Sequence, residues 1–104
     1  MCGIALVIGE RGRHAELDTM VTAIATRGEV TEKFTAPGVS AATRRLRIVD
    51  REHAVQPWRS DDGRWLLCYN GEVYNHNELR AELRALGHEF RTESDTEVVL
   101  HACL

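Results

Sequence analysis

Cys2, the second residue of this 104-residue chain, is the side chain best suited to covalent chemistry. Loss of Met1 is expected where a small residue follows, and it would leave Cys2 with a free α-amine. A thiol has a pKa of about 8.5 and an α-amine a pKa of about 7.7–8.0, so near neutral pH this amine can accept the proton of the thiol. One residue then supplies both nucleophile and base. The alternative is that Cys2 is a small apolar residue that begins a buried strand.

A second candidate pair, Asn70 and Gly71, could stabilise a developing negative charge. Attack of a thiolate on an amide places this charge on the carbonyl oxygen, and the oxyanion needs hydrogen-bond donors that are already in position. The side-chain amide of Asn70 and the backbone N–H of Gly71 would be two such donors. The alternative is that Asn-Gly simply forms a turn, for which this pair is favoured.

Arg45 and Asp95 carry opposite charges that could together hold a free amino acid. The planar guanidinium of Arg45 suits an α-carboxylate because it offers two parallel N–H donors. The carboxylate of Asp95 suits an α-ammonium group. The alternatives are that Arg45 lies on a solvated strand face and that Asp95 complements the dipole of a helix at its first turn.

The residues around Cys2 predict a strand followed by a helix. The apolar run from Cys2 to Ile8 ends at Gly9 and is typical of a strand that is covered on both faces. An amphipathic helix is expected over 14–26, with Gly28 placed to end it. Its apolar stripe consists of Leu17, Met20, Val21 and Ile24.

The middle of the chain predicts strands that are separated by turns. Pro37-Gly38 marks a turn, and residues 39–49 are rich in strand formers. Within that segment the alternation of residue types places Arg45 on the polar face, which points to solvent or to a ligand. Asp62-Gly63 predicts a hairpin turn that leads into a strand over 65–69.

Two helices are predicted in the last third of the chain. Asn75 is placed to cap the first, with Glu78 three residues on and Gly87 as its terminator. The stripe of this helix consists of Leu79, Leu83 and Leu86. A short strand is expected at Phe90. Residues 94–97 then spell a capping box for a second helix.

Composition argues against several classes of function. A net charge of -3 argues against a nucleic-acid partner, since phosphate binding calls for a basic face. The longest apolar run is too short to span a bilayer, and three widely spaced cysteines fit a reducing compartment. We therefore expect a cytoplasmic protein with no membrane partner. The histidines and cysteines lack metal-binding spacing and no glycine-rich phosphate loop is present, so neither a metal nor a cofactor is expected in this segment.

Five short segments carry the candidate residues in a fixed order. They are Met1-Cys2-Gly3-Ile4, Arg45-Leu46-Arg47-Ile48-Val49-Asp50, Gln56-Pro57, Tyr69-Asn70-Gly71-Glu72-Val73-Tyr74-Asn75-His76 and Ser94-Asp95-Thr96-Glu97. Together they resemble the class II glutaminase domain of the asparagine synthetase family. The resemblance runs over nearly all of the chain, although residues 26–30 read Thr-Arg-Gly-Glu-Val where the family usually has His-Arg-Gly-Pro-Asp.

The resemblance implies an α+β fold of the N-terminal-nucleophile hydrolase type, an αββα sandwich in which two antiparallel sheets stack between helix layers. Residues 1–104 would form only the N-terminal part of this glutaminase domain. Cys2 would be the nucleophile and its amine the base, while Asn70 and Gly71 would form the oxyanion hole. The pocket for L-glutamine would be formed by Arg45 at the α-carboxylate, Asp95 at the α-amino group, and Ile48, Val49 and Glu72.

The implied reaction is hydrolysis of glutamine to glutamate and ammonia through a thioester on Cys2. The ammonia would pass to a synthetase domain or subunit, and only that part would use ATP and magnesium. Because the family's glutaminase domain continues past residue 104, we expect a fragment, a shortened gene product or one half of a split enzyme. The alternative function is a non-catalytic remnant or subunit that at most binds glutamine or a partner.

Overall fold

The larger sheet has three antiparallel strands and contributes to the buried cluster under the first helix. The computed structural model describes residues 2–9, 14–45 and 56–104. The strands are β1 (Gly3–Ile8), β2 (Val30–Ala36) and β3 (Val39–Arg45), and β3 lies in the centre. β2 and β3 are joined by the predicted turn, where Gly38 has a φ of +80°, and β3 pairs with β1 along its other edge.

A smaller hairpin and three helices complete the described structure. Strand β4 (Trp58–Arg59) pairs antiparallel with β5 (Leu66–Leu67). The helices are α1 (His14–Ala23), α2 (His76–Ala85) and α3 (Asp95–Cys103), and a 3₁₀ turn over Ala25–Arg27 follows α1. Among the described residues, no helix is long and apolar enough to cross a bilayer. The α+β class with antiparallel sheets is confirmed, whereas the stacked αββα sandwich stays a prediction.

Helix α1 packs on one face of the larger sheet, as its periodicity predicted. Leu17 and Val21 form a buried cluster with Ala5 of β1 and Ala42 of β3. None of these four residues is more than 8% exposed. The small strand residues leave room for the larger helix side chains, and the apolar area removed from water holds α1 against the sheet. Met20, also on the predicted stripe, is 38% exposed, whereas Ile24 packs against the cluster.

The opposite face of β1 is open to solvent along its whole length. Ile4, Leu6 and Ile8 alternate with the buried residues of the strand and are 40%, 47% and 70% exposed. The prediction that β1 is covered on both faces is therefore wrong for the described structure. The continuous apolar run arises because the two faces of the strand are both apolar, although only one of them is packed.

Several strand boundaries differ from the predictions. Neither β2 nor β4 was predicted, and β5 covers two residues rather than 65–69. The residues around Phe90 form no strand. The expected continuation of β3 from residue 46 to 49 lies outside the described residues. The charged pair Glu32-Lys33 interrupts the apolar pattern of β2, so the composition of this segment does not predict a strand. Pairing with β3 stabilises β2 instead.

The hairpin turn between β4 and β5 is confirmed. Gly63 has a φ of +71°, a backbone conformation that favours glycine, and its N–H donates to the carbonyl of Ser60. The carboxylate of Asp62 accepts hydrogen bonds from the Ser60 hydroxyl and from the N–H of Arg64. These two bonds hold the pKa of the Asp62 carboxyl below its usual value.

The predicted helix caps are correct only in part. Ser94 caps α3, since its hydroxyl accepts from the N–H of Thr96 at 3.2 Å. The capping box is wrong, because the Glu97 carboxylate turns to the preceding loop and the N–H of Ser94 donates to Thr92 instead. Asn75 precedes α2 without a side-chain capping bond, so its capping prediction is also wrong. Leu86 lies past the end of α2 and is 78% exposed, which removes it from the predicted stripe.

Candidate active site

One small cavity brings together residues from both ends of the chain. Its volume is about 40 Å³, enough for on the order of three water molecules. A carboxamide group has three heavy atoms and fits such a space, so the remainder of a bound glutamine would lie outside it. The cavity is lined by Cys2, Arg45, Gln56, Tyr69, Asn70, Gly71 and Thr96.

The register of the larger sheet places Cys2 next to Arg45. Gly3 of β1 pairs with Arg44 of β3, so one further step along the antiparallel register sets Cys2 opposite Arg45. Arg45 also pairs with Val30, the first residue of β2. The candidate nucleophile and the candidate carboxylate ligand therefore occupy the same end of the same sheet. Cys2 is partly exposed, and its thiol is free.

The guanidinium of Arg45 forms an ion pair with Glu32 on the neighbouring strand. Arg45 Nη2 donates to Glu32 Oε1 at 2.9 Å, and the two side chains are 17% and 19% exposed. The second oxygen of Glu32 accepts from the backbone N–H of Gln56 at 3.0 Å. Arg45 is thus a largely enclosed cation at the cavity wall, which argues against the alternative of a solvated strand face.

The segment that carries Asn70 and Gly71 follows β5, and a hydrogen bond to the distant residue Gln56 holds it in place. The N–H of Tyr69 donates to Oε1 of Gln56 at 2.7 Å. A Cβ at Gly71 would lie 2.8 Å from the hydroxyl oxygen of Tyr69, so a side chain at this position would collide with the phenol. Burial raises the pKa of Tyr69, and the nearby carboxylates of Asp95 and Glu72 raise it further. The phenol therefore remains a neutral hydrogen-bonding group next to Gly71.

Asp95 is held at the first turn of α3 and points toward the loop after Gly71. Its Oδ2 accepts from the backbone N–H of Val73 at 3.0 Å. The turn itself is fixed by the Ser94 cap and by Arg80, whose Nη2 donates to the carbonyl of Ser94 at 3.3 Å. Arg80 is only 2% exposed although it carries a charge. Asp95 therefore links α3 to the segment that carries the candidate oxyanion donors.

Glu97 holds the loop that precedes α3 against the first turn of that helix. Its buried carboxylate accepts from the N–H groups of Arg91 and Thr92 at 2.8 and 2.7 Å, and from the Thr92 hydroxyl at 2.7 Å. Hydrogen bonds to a carboxylate are stronger than those between neutral groups. The loop and the first turn of α3 consequently form one connected unit, which carries both Asp95 and Thr96.

The structure brings together four of the predicted site residues in one cavity. Those that line the cavity are Cys2, Arg45, Asn70 and Gly71. Glu72 and Asp95 do not line it, although both lie close enough to Tyr69 to affect its pKa. The predicted backbone contacts of Ile48 and Val49 lie outside the described residues.

Four residues at the site had no role in the sequence-based hypothesis. Three of them line the cavity, namely Gln56, Tyr69 and Thr96. Each lies within one of the five short segments, and this position was the sequence signal that could have identified it. Glu32 gave no such signal, because it lies in the unpredicted strand β2. Its role depends on pairing across the sheet to Arg45, a contact between residues 13 positions apart.

The remaining cysteines differ from Cys2 in position. Burial raises the pKa of the Cys68 thiol, which disfavours the thiolate. Cys103 is exposed at the end of α3. Neither Cys68 nor Cys103 lines the cavity. Within 2–9, 14–45 and 56–104, no group of three or more histidine, cysteine or carboxylate side chains is arranged to hold a metal ion.

Comparison with known proteins identifies the family of this chain. The family model described as glutamine amidotransferase domain matches residues 1–104. Asparagine synthetase 2 (glutamine-hydrolysing) of Bacillus subtilis strain 168 is 37% identical over 97% of this chain and 14% of its own length. Asparagine synthetase 3 of the same organism is 35% identical over 98% of this chain and 18% of its own length. Putative asparagine synthetase 1 of Methanocaldococcus jannaschii is 52% identical over 61% of this chain and 11% of its own length.

The chain thus spans less than a fifth of the length of these curated relatives. The family match, in contrast, extends from the first residue to the last. The two relatives that align with nearly all of this chain are named as glutamine-hydrolysing asparagine synthetases. This chain belongs to the glutamine amidotransferase domain family, in the form found in asparagine synthetases.

Proposed function

We propose that this chain hydrolyses the side-chain amide of L-glutamine, with Cys2 as the nucleophile. The observation that carries the proposal is the shared cavity, in which Cys2, Arg45, Asn70 and Gly71 meet although they come from distant parts of the sequence. A thiol, a pair of hydrogen-bond donors and an enclosed cation are the parts that acyl transfer from an amino-acid amide requires.

The reaction begins once removal of Met1 has exposed the α-amine of Cys2. This amine takes the thiol proton, and the sulfur attacks the carboxamide carbon to give a tetrahedral intermediate. The proton then passes to the leaving nitrogen, the C–N bond breaks, and ammonia departs from a thioester on Cys2. Water adds to the thioester with the amine again as base, and breakage of the C–S bond releases glutamate and restores the thiol.

The negative charge of each tetrahedral intermediate would be stabilised by Asn70 and Gly71. The side-chain amide of Asn70 and the backbone N–H of Gly71 are the proposed donors. Removal of one such donor costs about 10²–10³ in rate in a well-studied amide hydrolase. The anchor of Tyr69 on Gln56 supports this role, since it fixes the backbone directly before the two donors.

The two charges of the substrate would be recognised by Arg45 and Asp95. In the structure Arg45 pairs with Glu32, and one oxygen of Asp95 accepts from Val73. A guanidinium has five N–H donors, and a carboxylate has two oxygens that each accept more than one bond. The charges of Arg45 and Asp95 are opposite to those of the α-carboxylate and the α-ammonium of glutamine, and their existing contacts would hold both groups in place. Glu72, Ile48 and Val49 would complete this pocket.

The ammonia would be used by an ATP-dependent synthetase domain or subunit. The relatives that support this are named as asparagine synthetases and are several times longer than the present chain. ATP and magnesium would bind to that synthetase part. Formation of asparagine is therefore proposed for the complete protein or complex, whereas glutamine hydrolysis is proposed for residues 1–104.

The proposal is tested by glutamate release from glutamine in Cys2→Ala and Cys103→Ala proteins, each measured alone and with a candidate synthetase partner. Cys103 is exposed and does not line the cavity, so its variant controls for the loss of a thiol elsewhere. We expect no turnover with Cys2→Ala and wild-type turnover with Cys103→Ala. Full activity of Cys2→Ala would contradict the assignment of the nucleophile.

A second candidate function is binding without catalysis. The open apolar face of β1, formed by Ile4, Leu6 and Ile8, favours it, because such a row is suited to contact with another protein surface. In that case the chain would bind a partner, and glutamine would bind without being cleaved. Glutamine binding by the wild-type protein with no glutamate release, alone or with a synthetase partner, would support this function over the first.

A further inference from the structure

Gln56 contacts three different parts of the structure through three different groups. Its backbone N–H donates to Oε2 of Glu32 on β2 at 3.0 Å, and its carbonyl accepts from the hydroxyl of Thr43 on β3 at 2.7 Å. Its side-chain Oε1 accepts from the N–H of Tyr69 at 2.7 Å. Gln56 is 6% exposed, and it lines the same cavity as Cys2.

These contacts connect the two halves of the proposed site. The backbone bonds attach Gln56 to the larger sheet, where Glu32 also holds the guanidinium of Arg45. The side-chain bond attaches Tyr69, and therefore the next two residues, Asn70 and Gly71. Among the described residues, no other hydrogen bond joins the backbone of Tyr69, Asn70 or Gly71 to the larger sheet.

We propose that Gln56 is a positioning residue, whose side chain sets the oxyanion donors Asn70 and Gly71 at the correct distance from Cys2. The inference rests on the proposed function and adds to it the residue that links the sheet to the donor segment. The side chain acts only through the backbone of Tyr69, so it does not need to touch the substrate. A misplacement of about 1 Å in a reacting group can lower a rate by about 10²-fold, which makes such a link valuable.

The geometry predicts which kinetic constant depends on the Gln56 side chain. The two backbone bonds of Gln56 persist in any side-chain variant, so the Glu32–Arg45 pair should keep its position. Substrate affinity should then change little, while stabilisation of the tetrahedral intermediate is lost. Replacement of the side chain should therefore lower kcat by about 10- to 100-fold and leave KM close to its wild-type value.

Two variants of similar size separate the hydrogen bond from the volume of the side chain. Gln56→Met keeps the length of the side chain but has no strong acceptor for the N–H of Tyr69. Gln56→Glu keeps an acceptor at the same distance. We expect loss of kcat in Gln56→Met and at least partial rescue in Gln56→Glu. Ser60→Ala is a matched control, because Ser60 is also 6% exposed and hydrogen-bonded but belongs to the β4–β5 turn.

Amide hydrogen exchange at Tyr69, followed by NMR, provides a readout that does not depend on activity. The N–H of Tyr69 should exchange faster in Gln56→Met than in the wild-type protein, Gln56→Glu or Ser60→Ala. If Gln56→Met does not fold, Thr43→Val removes the bond to the Gln56 carbonyl and should shift the same exchange rate and the same kcat in the same direction.

The outcomes distinguish this inference from the proposed function. A wild-type protein without glutaminase activity, alone or with a partner, would contradict the proposed function, and the exchange rate of Tyr69 would still test the link. Unchanged exchange at Tyr69 in folded Gln56→Met would overturn the link. Faster exchange together with an unchanged kcat would overturn the positioning role.

Discussion

Gly28 is the position where a single added methyl group should disturb the proposed glutamine site most directly. It lies after the 3₁₀ turn, is buried, and has a φ of 176°, an extended conformation that alanine also adopts. A Cβ at this position would nevertheless lie 2.2 Å from the carbonyl carbon, 2.4 Å from the carbonyl oxygen and 2.7 Å from the nitrogen of Arg45. Gly28→Ala is thus a steric perturbation of the backbone that carries the candidate carboxylate ligand.

The size of the effect follows from these distances. An ordinary contact begins at 3.4 Å, so the backbone of Arg45 and that of Gly28 must separate by about 1.2 Å. Overpacking of this kind costs about 1–3 kcal/mol, and contact with three backbone atoms places the cost near the upper value. For a domain of this size about 3 kcal/mol corresponds to a fall in Tm of at least about 12 °C. The same displacement would disturb the 2.9 Å hydrogen bond between the Arg45 and Glu32 side chains.

The matched control is Gly87→Ala. A Cβ at Gly87 meets nothing within 4 Å, but its φ of +98° makes any side chain unfavourable. This variant should also lose stability, by about 1–2 kcal/mol, without any change at Arg45. Thermal unfolding gives the stability of both variants, and glutamine turnover below the Tm of each gives KM and kcat.

We expect KM for glutamine to rise at least tenfold in Gly28→Ala and to stay at its wild-type value in Gly87→Ala. A tenfold change corresponds to about 1.4 kcal/mol of binding free energy. Wild-type stability and wild-type KM in Gly28→Ala would refute the reasoning, because they would mean that Arg45 can move without consequence for its pairing or for the substrate.

Two further predictions concern Glu32 and His101. Glu32→Gln should raise KM for glutamine about tenfold with a smaller change in kcat, because it removes the carboxylate that orients Arg45. A fall in kcat as large as the rise in KM, measured by steady-state kinetics, would contradict that role. Burial lowers the pKa of His101, so the folded state favours its neutral form. The associated stability is complete above the unfolded pKa of about 6.5 and is lost as the pH falls through the folded pKa. Urea midpoints at pH 8 and pH 5 should therefore differ less in His101→Gln than in the wild-type protein, and equal differences would contradict the prediction. The titratable and charged groups near this ring are His88, Glu97, Asp61 and Arg91.

The elements with strong local signals could be predicted from the sequence. The stripe of α1 and the apolar run of β1 identified both elements, because a packed face leaves a clear period in the sequence. The Asp62-Gly63 turn was equally clear, since Gly63 supplies the positive φ that the turn requires. Four of the predicted site residues line one cavity, whereas their roles stay a prediction.

The features that depend on distant partners could not be predicted in this way. Glu97 was expected to reach back to the cap of its own helix, but a competing pair of N–H donors at Arg91 and Thr92 attracts its carboxylate. The pairing of Glu32 with Arg45 exists only because β2 lies beside β3, and β2 has no apolar period of its own. Burial of Arg80 likewise arises from contacts outside its helix, including the carbonyl of Ser94.

The central claim is that Cys2, with its own α-amine, forms a covalent bond to the glutamine carbonyl carbon. Mass spectrometry of the N-terminal peptide after rapid acid quench of the protein with glutamine tests it most directly. We expect an active protein that lacks Met1 and carries a glutamyl group on Cys2, and no such adduct in Cys2→Ala. Full turnover by protein that still carries Met1, or a glutamyl adduct on Cys68 or Cys103 instead, would contradict the account.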